Sequence, residues 1–104
     1  MNEITKLVEQ VRLSTDFQIN KQILREKIQT ELHISFNGGM FLITTDLLAF
    51  LATWPNELLY LEDIFQNPIE IKRQEFLDRC RERYQAAMNS WHQQYAETRK
   101  IRKV

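Results

Sequence analysis

The last third of this chain limits what it can fold into. From Gln74 to Arg102, the residues Leu77, Cys80, Tyr84, Ala87, Trp91, Gln94, Thr98 and Ile101 recur at alternating steps of three and four. That spacing keeps one stripe of an α-helix against a partner. Such a helix has roughly 29 residues and is ~43 Å long at 1.5 Å per residue, in a chain of only 104 residues. On one reading it outruns the globule that so few residues can build, and its far end then packs on another chain. The aromatic row it carries, Phe76, Tyr84, Trp91 and Tyr95 with Met88 and His92 alongside, has two uses. Either the rings cover the hairpins and the first helix at home, or Tyr84, Met88, Trp91 and Tyr95 anchor a contact with a second chain, where Trp, Tyr and Met are enriched.

Upstream, Ile4, Leu7, Val8 and Val11 sit at i, i+3, i+4 and i+7, one face of an amphipathic helix. The phase becomes uncertain at Ser14-Thr15-Asp16, where Thr15 and Gln18 fit a capping box. Beyond it Phe17, Leu24, Ile28 and Leu32, with Ile23 beside them, form a second stripe. Two readings are open: two short helices with a corner at Ser14, or one long helix weakened there.

The clearest local signal is His33 to Ile43, in which Asn37-Gly38 separates two alternating runs. A type I′ hairpin turn needs positive φ at both central residues, and Asn and Gly tolerate it best. That turn sets Ile34 opposite Phe41 and Leu32 opposite Ile43 on the buried side. Both glycines of the chain, Gly38 and Gly39, are spent here. No lysine follows at the spacing of a phosphate-cradling loop. Thr45 is placed to cap a helix from Asp46 to Trp54, stopped by Pro55. That helix is apolar on most sides and belongs in the middle of the core. Leu58 to Glu62 and Ile69 to Lys72 read as a second hairpin around Asp63 to Pro68. Ile64 and Phe65 at its tip are unusual for a turn; they tuck back onto the fold, the favoured reading, or form an exposed contact point.

Nothing in the sequence amounts to a catalytic signature, so the protein reads as a non-enzyme with no small-molecule substrate. Glu62 and Asp63 adjoin, but neighbouring strand residues point to opposite faces and do not make an acid pair. His33, Cys80 and His92 are the only soft or borderline metal-ligand types, far short of a zinc set at ligand spacing, so no metal or cofactor is expected. The single cysteine, Cys80, rules out a disulfide within the chain and occupies a seam position, as a small buried hydrophobe does. The N-terminus lacks the basic flank and apolar run of a signal peptide, and the longest apolar-rich stretch, Met40 to Trp54, is too short for a membrane span. A cytoplasmic protein is the expectation.

Net charge is zero, but the charge is uneven. The first 34 residues balance; residues 35–71 hold five acidic and no basic side chains; residues 72–104 hold nine basic and four acidic. Arg99, Lys100, Arg102 and Lys103 close the chain and offer a nucleic-acid contact, although cations at a helix C-terminus are favoured by the helix dipole whatever the function. Arg79, Arg81 and Arg83 would have to share their side to strengthen it, and alternate spacing spreads them around the helix.

The run Phe36-Asn37-Gly38-Gly39-Met40-Phe41, the helix Leu47 to Trp54, Asn67-Pro68-Ile69-Glu70-Ile71, and Met88-Asn89-Ser90-Trp91-His92 with the terminal Arg-Lys-Ile-Arg-Lys-Val resemble small proteins encoded by contractile-tailed bacteriophages of the T-even type, including those infecting cyanobacteria. The resemblance covers about residues 32–104. It implies a phage protein acting in the host cytoplasm or carried in the virion, and brings no site residues with it.

The expected architecture is a single α+β domain: an N-terminal helical segment (1–32), two hairpins around a short helix (33–72), and a long C-terminal helix (73–104) packed against the N-terminal one. The expected function is interaction or assembly, with self-association through the long helix. Two alternatives remain: a nucleic-acid-associated accessory factor using the basic end, or a small regulator that binds a host protein.

Overall fold

Two hairpins and the two ends of long helices meet in one apolar cluster, and the helices then leave it together. In the computed structural model, which describes residues 3–103 and the side chains of residues 3–100, the order is α1 (Glu3–Glu31), β1 (His33–Phe36), β2 (Gly39–Leu42), α2 (Thr45–Thr53), β3 (Leu58–Glu62), β4 (Pro68–Lys72) and α3 (Arg73–Lys103). This is an α+β fold with α3 packed along α1. It measures 68 × 24 × 20 Å: a small head of hairpins and α2, from which α1 and α3 project as an antiparallel two-helix arm.

The first hairpin forms as its turn residues dictate. Asn37 and Gly38 take φ of 50° and 86°, the paired left-handed conformations of a type I′ turn. Ile34 then pairs with Phe41, and the Ile43 N–H donates to the Leu32 carbonyl at 2.9 Å. Leu32, Phe36, Phe41 and Ile43 are all buried. The second hairpin pairs Leu59 with Ile71 and Leu61 with Ile69, turning its other face, Leu58 and Tyr60, to solvent.

The two sheets do not share strands but are tied edge to tip. The Asn37 side chain donates to the Glu70 carbonyl at 2.8 Å, and the Ile64 N–H to the Met40 carbonyl at 2.9 Å. Phe76, fully buried near the head end of α3, lies 4.7 Å and 4.9 Å from the rings of Phe36 and Phe41. Ile28, Leu32, Ile43, Leu51, Leu59, Ile71, Leu77 and Cys80 close around them.

Several sequence expectations need correcting. Helix α1 has no corner at Ser14; the Thr15 hydroxyl bonds back to the Val11 carbonyl at 2.9 Å and caps nothing. The phase change is real, but it marks a change of face on one helix. The cap of α2 is Thr44, whose hydroxyl accepts from the Leu47 N–H at 3.0 Å, one residue before the expected Thr45. Trp54 closes that helix in the extended conformation that a following proline requires. Nor is α2 the middle of the core: among its residues only Leu51 is buried, and Phe50 and Trp54 pack on each other at the surface, 5.1 Å apart. The centre belongs to Phe76 instead. Ile64 and Phe65 do not tuck back; both are exposed.

The seam on α3 is as the spacing predicts. Leu77, Cys80 and Ala87 are buried, and Tyr84, Trp91, Gln94 and Thr98 are half-buried; the side chain of Ile101 lies outside the described residues. Along the arm the seam meets α1 of its own chain.

Two arginines fasten helix ends that their own segments leave bare. Helix α1 has no basic residue in its last turn, and Arg83 supplies the cation from α3. Its Nε donates to the Glu31 carbonyl at 2.9 Å and its Nη2 to the His33 carbonyl at 3.3 Å, at the negative end of the α1 dipole. Arg73 does the same for α2 through the Leu51 carbonyl at 3.0 Å. Glu57 in turn accepts the Gln74 N–H at 3.0 Å at the start of α3.

Candidate interaction surface

The aromatic row of α3 lies where the arm opens. On α1, Phe17, Lys21, Leu24 and Arg25 line one side of a groove of about 550 Å³; Met88, Trp91, His92, Tyr95 and Thr98 of α3 line the other. Spacing produces this arrangement. Phe17 and Leu24 are seven apart on α1, and Met88, Trp91 and Tyr95 follow at three and four on α3, so each set projects along one flank of its helix. Trp91 and Met88 are half-buried against the core cluster, and Tyr95 is 41% exposed. Lys27 bridges to Gln94 at 3.3 Å on the same arm.

Three of the four anticipated contact residues, Met88, Trp91 and Tyr95, therefore share one groove. Tyr84 does not line it; it is half-buried against the core cluster. The α1 side of the groove was not visible in the sequence, since only the fold brings residue 17 beside residue 98. The basic end gives a divided picture. Arg99 and Lys100 are exposed, while the side chains of Arg102 and Lys103 lie outside the described residues. Arg79, Arg81 and Arg83 do not combine with them. Arg83 is turned onto the carbonyls named above, and Arg79 sits 5.5 Å over the Phe36 ring, 3.7 Å from Glu75.

Among the described residues, no three His, Cys, Asp or Glu side chains gather where they could hold a metal ion. His33 sits against the Gln29 carbonyl at 2.8 Å, His92 lines the groove, and Cys80 is fully buried. Burial pushes the Cys80 thiol up to about 11, so it stays protonated and inert near neutral pH. No helix among the described residues is long and apolar enough to cross a membrane.

A second exposed apolar feature is the Ile64-Phe65 tip, and one side chain that the sequence did not single out for this role holds it rigid. Asp63 is nearly enclosed. Its Oδ1 accepts the Asn67 N–H at 2.9 Å and the Phe65 N–H at 3.0 Å, and its Oδ2 accepts the Met40 N–H at 3.1 Å. These bonds let Gln66 hold a φ of 65°. Donation from Asn67 is the largest influence on this carboxyl; burial opposes it, and Met40 and Phe65 add to it, leaving the pKa below the ordinary carboxylate value.

A carboxyl whose pKa falls on folding stabilises the fold above its unfolded pKa, and that contribution disappears as pH drops through the folded one. Asp63→Asn should therefore weaken the fold at neutral pH and flatten its loss of stability in the acid range. Urea midpoints measured across that range check it, and an unchanged acid slope would contradict the role given to Asp63.

No protein-family model, curated protein or solved structure matches this chain.

Proposed function

We propose that this is a non-enzymatic interaction and assembly protein that self-associates through its helical arm, with the long C-terminal helix supplying the anchors Met88, Trp91 and Tyr95. The observation that carries this reading is the groove beside those rings. It is apolar, rimmed by Lys21, Arg25 and His92, and open to solvent along two helices. A half-buried Trp beside an exposed Tyr, with a polar rim, is the anatomy of a protein contact. Among the described residues of the head, no three His, Cys, Asp or Glu side chains gather where they could hold a metal ion. The head's smaller cleft, lined by Phe36, Asn37, Glu70, Lys72, Glu75 and Arg79, carries two acidic and two basic side chains. The phage resemblance supplies a setting for such a protein, either a virion or the infected cytoplasm.

Sedimentation velocity at high micromolar concentration tests the reading. The wild-type chain is expected to run as a dimer or larger, and a strictly monomeric species removes self-association. Trp91→Ala opens the groove floor where α3 meets α1. It should weaken association at least tenfold and lower the melting temperature, whereas Trp91→Phe should retain most of both.

A further inference from the structure

The tip of the second hairpin presents two apolar side chains that this chain does not cover. Phe65 is 68% exposed and Ile64 47%, at turn positions that ordinarily show water a polar group. The backbone beneath them is fixed. Besides the three N–H groups that donate to the Asp63 carboxylate, the Gln66 N–H reaches the Asp63 carbonyl and the Asp63 N–H the Asn67 carbonyl, both at 3.0 Å. A segment ordered in advance gives up little conformational freedom when it docks. The charge of the tip is one-sided: from Tyr60 to Glu70 the chain carries Glu62, Asp63 and Glu70 and no basic side chain. Backbone donors occupy the Asp63 oxygens, so Glu62 and Glu70, both exposed, are the charges it turns to solvent.

The groove on the arm is the counterpart of this tip. It is a hollow with an apolar floor, it has Lys21 and Arg25 on its rim, and no acidic side chain lines it. Lys21 and Arg25 are exposed and one turn apart on α1, so both stand on the same flank. Among the described residues the ion pairs join Glu9 to Arg12, Glu57 to Arg73 and Glu75 to Arg79. Neither the two cations of the groove nor Glu62 and Glu70 of the tip are paired within the chain.

We infer that the groove of one copy takes the hairpin tip of a second copy, the partner's Phe65 and Ile64 entering against Trp91 and Tyr95 and the partner's Glu62 lying toward Lys21 and Arg25. The inference rests on the self-association proposed above and names what its anchors hold. Shape and charge agree, since a projecting apolar pair with an acidic flank meets an apolar hollow with a basic rim. Phe65 beside Trp91 and Tyr95 gains the offset or edge-on packing that aromatic rings favour, and the rim charges orient the approach more than they add affinity. Other exposed apolar groups lack this match. The first turns of α1 carry both signs of charge in Glu3, Lys6, Glu9 and Arg12, and Phe50 and Trp54 are engaged with each other. Tip and groove are different surfaces, so one contact leaves a groove open on one copy and a tip on the other, and the assembly closes only when those two also meet. One tip in one groove buries less than the ~1,200 Å² of a standard interface, which points to a weak contact.

Sedimentation velocity on single variants and on their mixture tests it. Phe65→Ala is expected to weaken association at least tenfold with an unchanged melting temperature, because Phe65 packs on little of its own chain. Tyr95→Ala should weaken it to a similar degree. The mixture discriminates: Phe65→Ala keeps a sound groove and Tyr95→Ala a sound tip, so together they should form a heterodimer of higher mass than either gives alone at the same total concentration. If Phe65→Ala leaves association intact while Tyr95→Ala weakens it, or the mixture gains nothing over its components, the groove holds something other than the tip; the inference falls and the self-association reading stands. Loss with Phe65→Ala but not with Tyr95→Ala puts the tip on another surface and overturns the inference as well. A wild-type monomer at high micromolar concentration ends both.

Discussion

Phe76→Ala is expected to remove about 3–5 kcal/mol of stability, as much as many domains of this size possess in total. The ring is fully buried between Phe36 and Phe41, where the first hairpin rests on α3. Ile28, Leu32 and Ile71 belong to the same cluster, so no neighbour can rotate into the void without leaving a contact of its own. Loss of the two tilted ring contacts adds to the lost burial. Because this cluster and the Arg83 carbonyl contacts help fasten α1 and α3 to the head, the arm should loosen with it. Urea unfolding followed by far-UV circular dichroism checks the value. Tyr60→Ala is the control: Tyr60 is 68% exposed on the outer face of the second hairpin, and its removal should cost no more than about 0.5 kcal/mol. Equal losses for the two variants would move the centre of the core away from Phe76.

The parts of this fold that sequence reveals are those decided within a few residues. Asn37-Gly38 fixes both a turn and a register, because positive φ at two successive positions has few alternatives. The three-four spacing on α3 found its buried face, since one helix period governs all of its seam. Reading failed where a residue answers to something distant. Ser14 to Asp16 resembled a helix break because the apolar stripe changes phase there, and a phase change is ambiguous between a new helix and a new facing direction. Helix α2 is apolar on most sides, which predicts a central place, yet hydrophobicity cannot say which of several apolar elements the others surround. Asp63 is surrounded by donors from positions 40, 65 and 67, only two of them local. Arg83 caps a helix that ends 52 residues earlier. The groove was half legible, its α3 side carrying a recognisable aromatic row and its α1 side depending on how the two helices align.

Gly39 shows the same division between local and distant causes, and it yields the second large effect. Its neighbour Gly38 is required by conformation: its φ is +86°, and a Cβ built there meets nothing within 4 Å. Gly38→Ala should cost about 1–2 kcal/mol of backbone strain, with Gly38→Asn recovering part of it. Gly39 is required by space. A Cβ there would lie 2.6 Å from Ile69 Cγ1 and 3.0 Å from Phe41 Cε2, and Cγ1 belongs to the stem of a β-branched side chain that cannot swing clear. The second hairpin must retreat, stretching the Asn37–Glu70, Ile64–Met40 and Met40–Asp63 bonds that join the sheets. Overpacking of this kind costs about 1–3 kcal/mol, and the strained inter-sheet bonds place Gly39→Ala at the upper end. Ile69→Ala on its own is destabilising, since Ile69 packs on the core. In the Gly39→Ala background it makes room, so the double variant should be more stable than the sum of the two losses predicts, with an interaction of at least ~1 kcal/mol. Pairing Gly38→Ala with Ile69→Ala should show strict additivity, because the strain at Gly38 does not depend on its neighbours. If both pairs add, Gly39 is not held by the approach of the second hairpin.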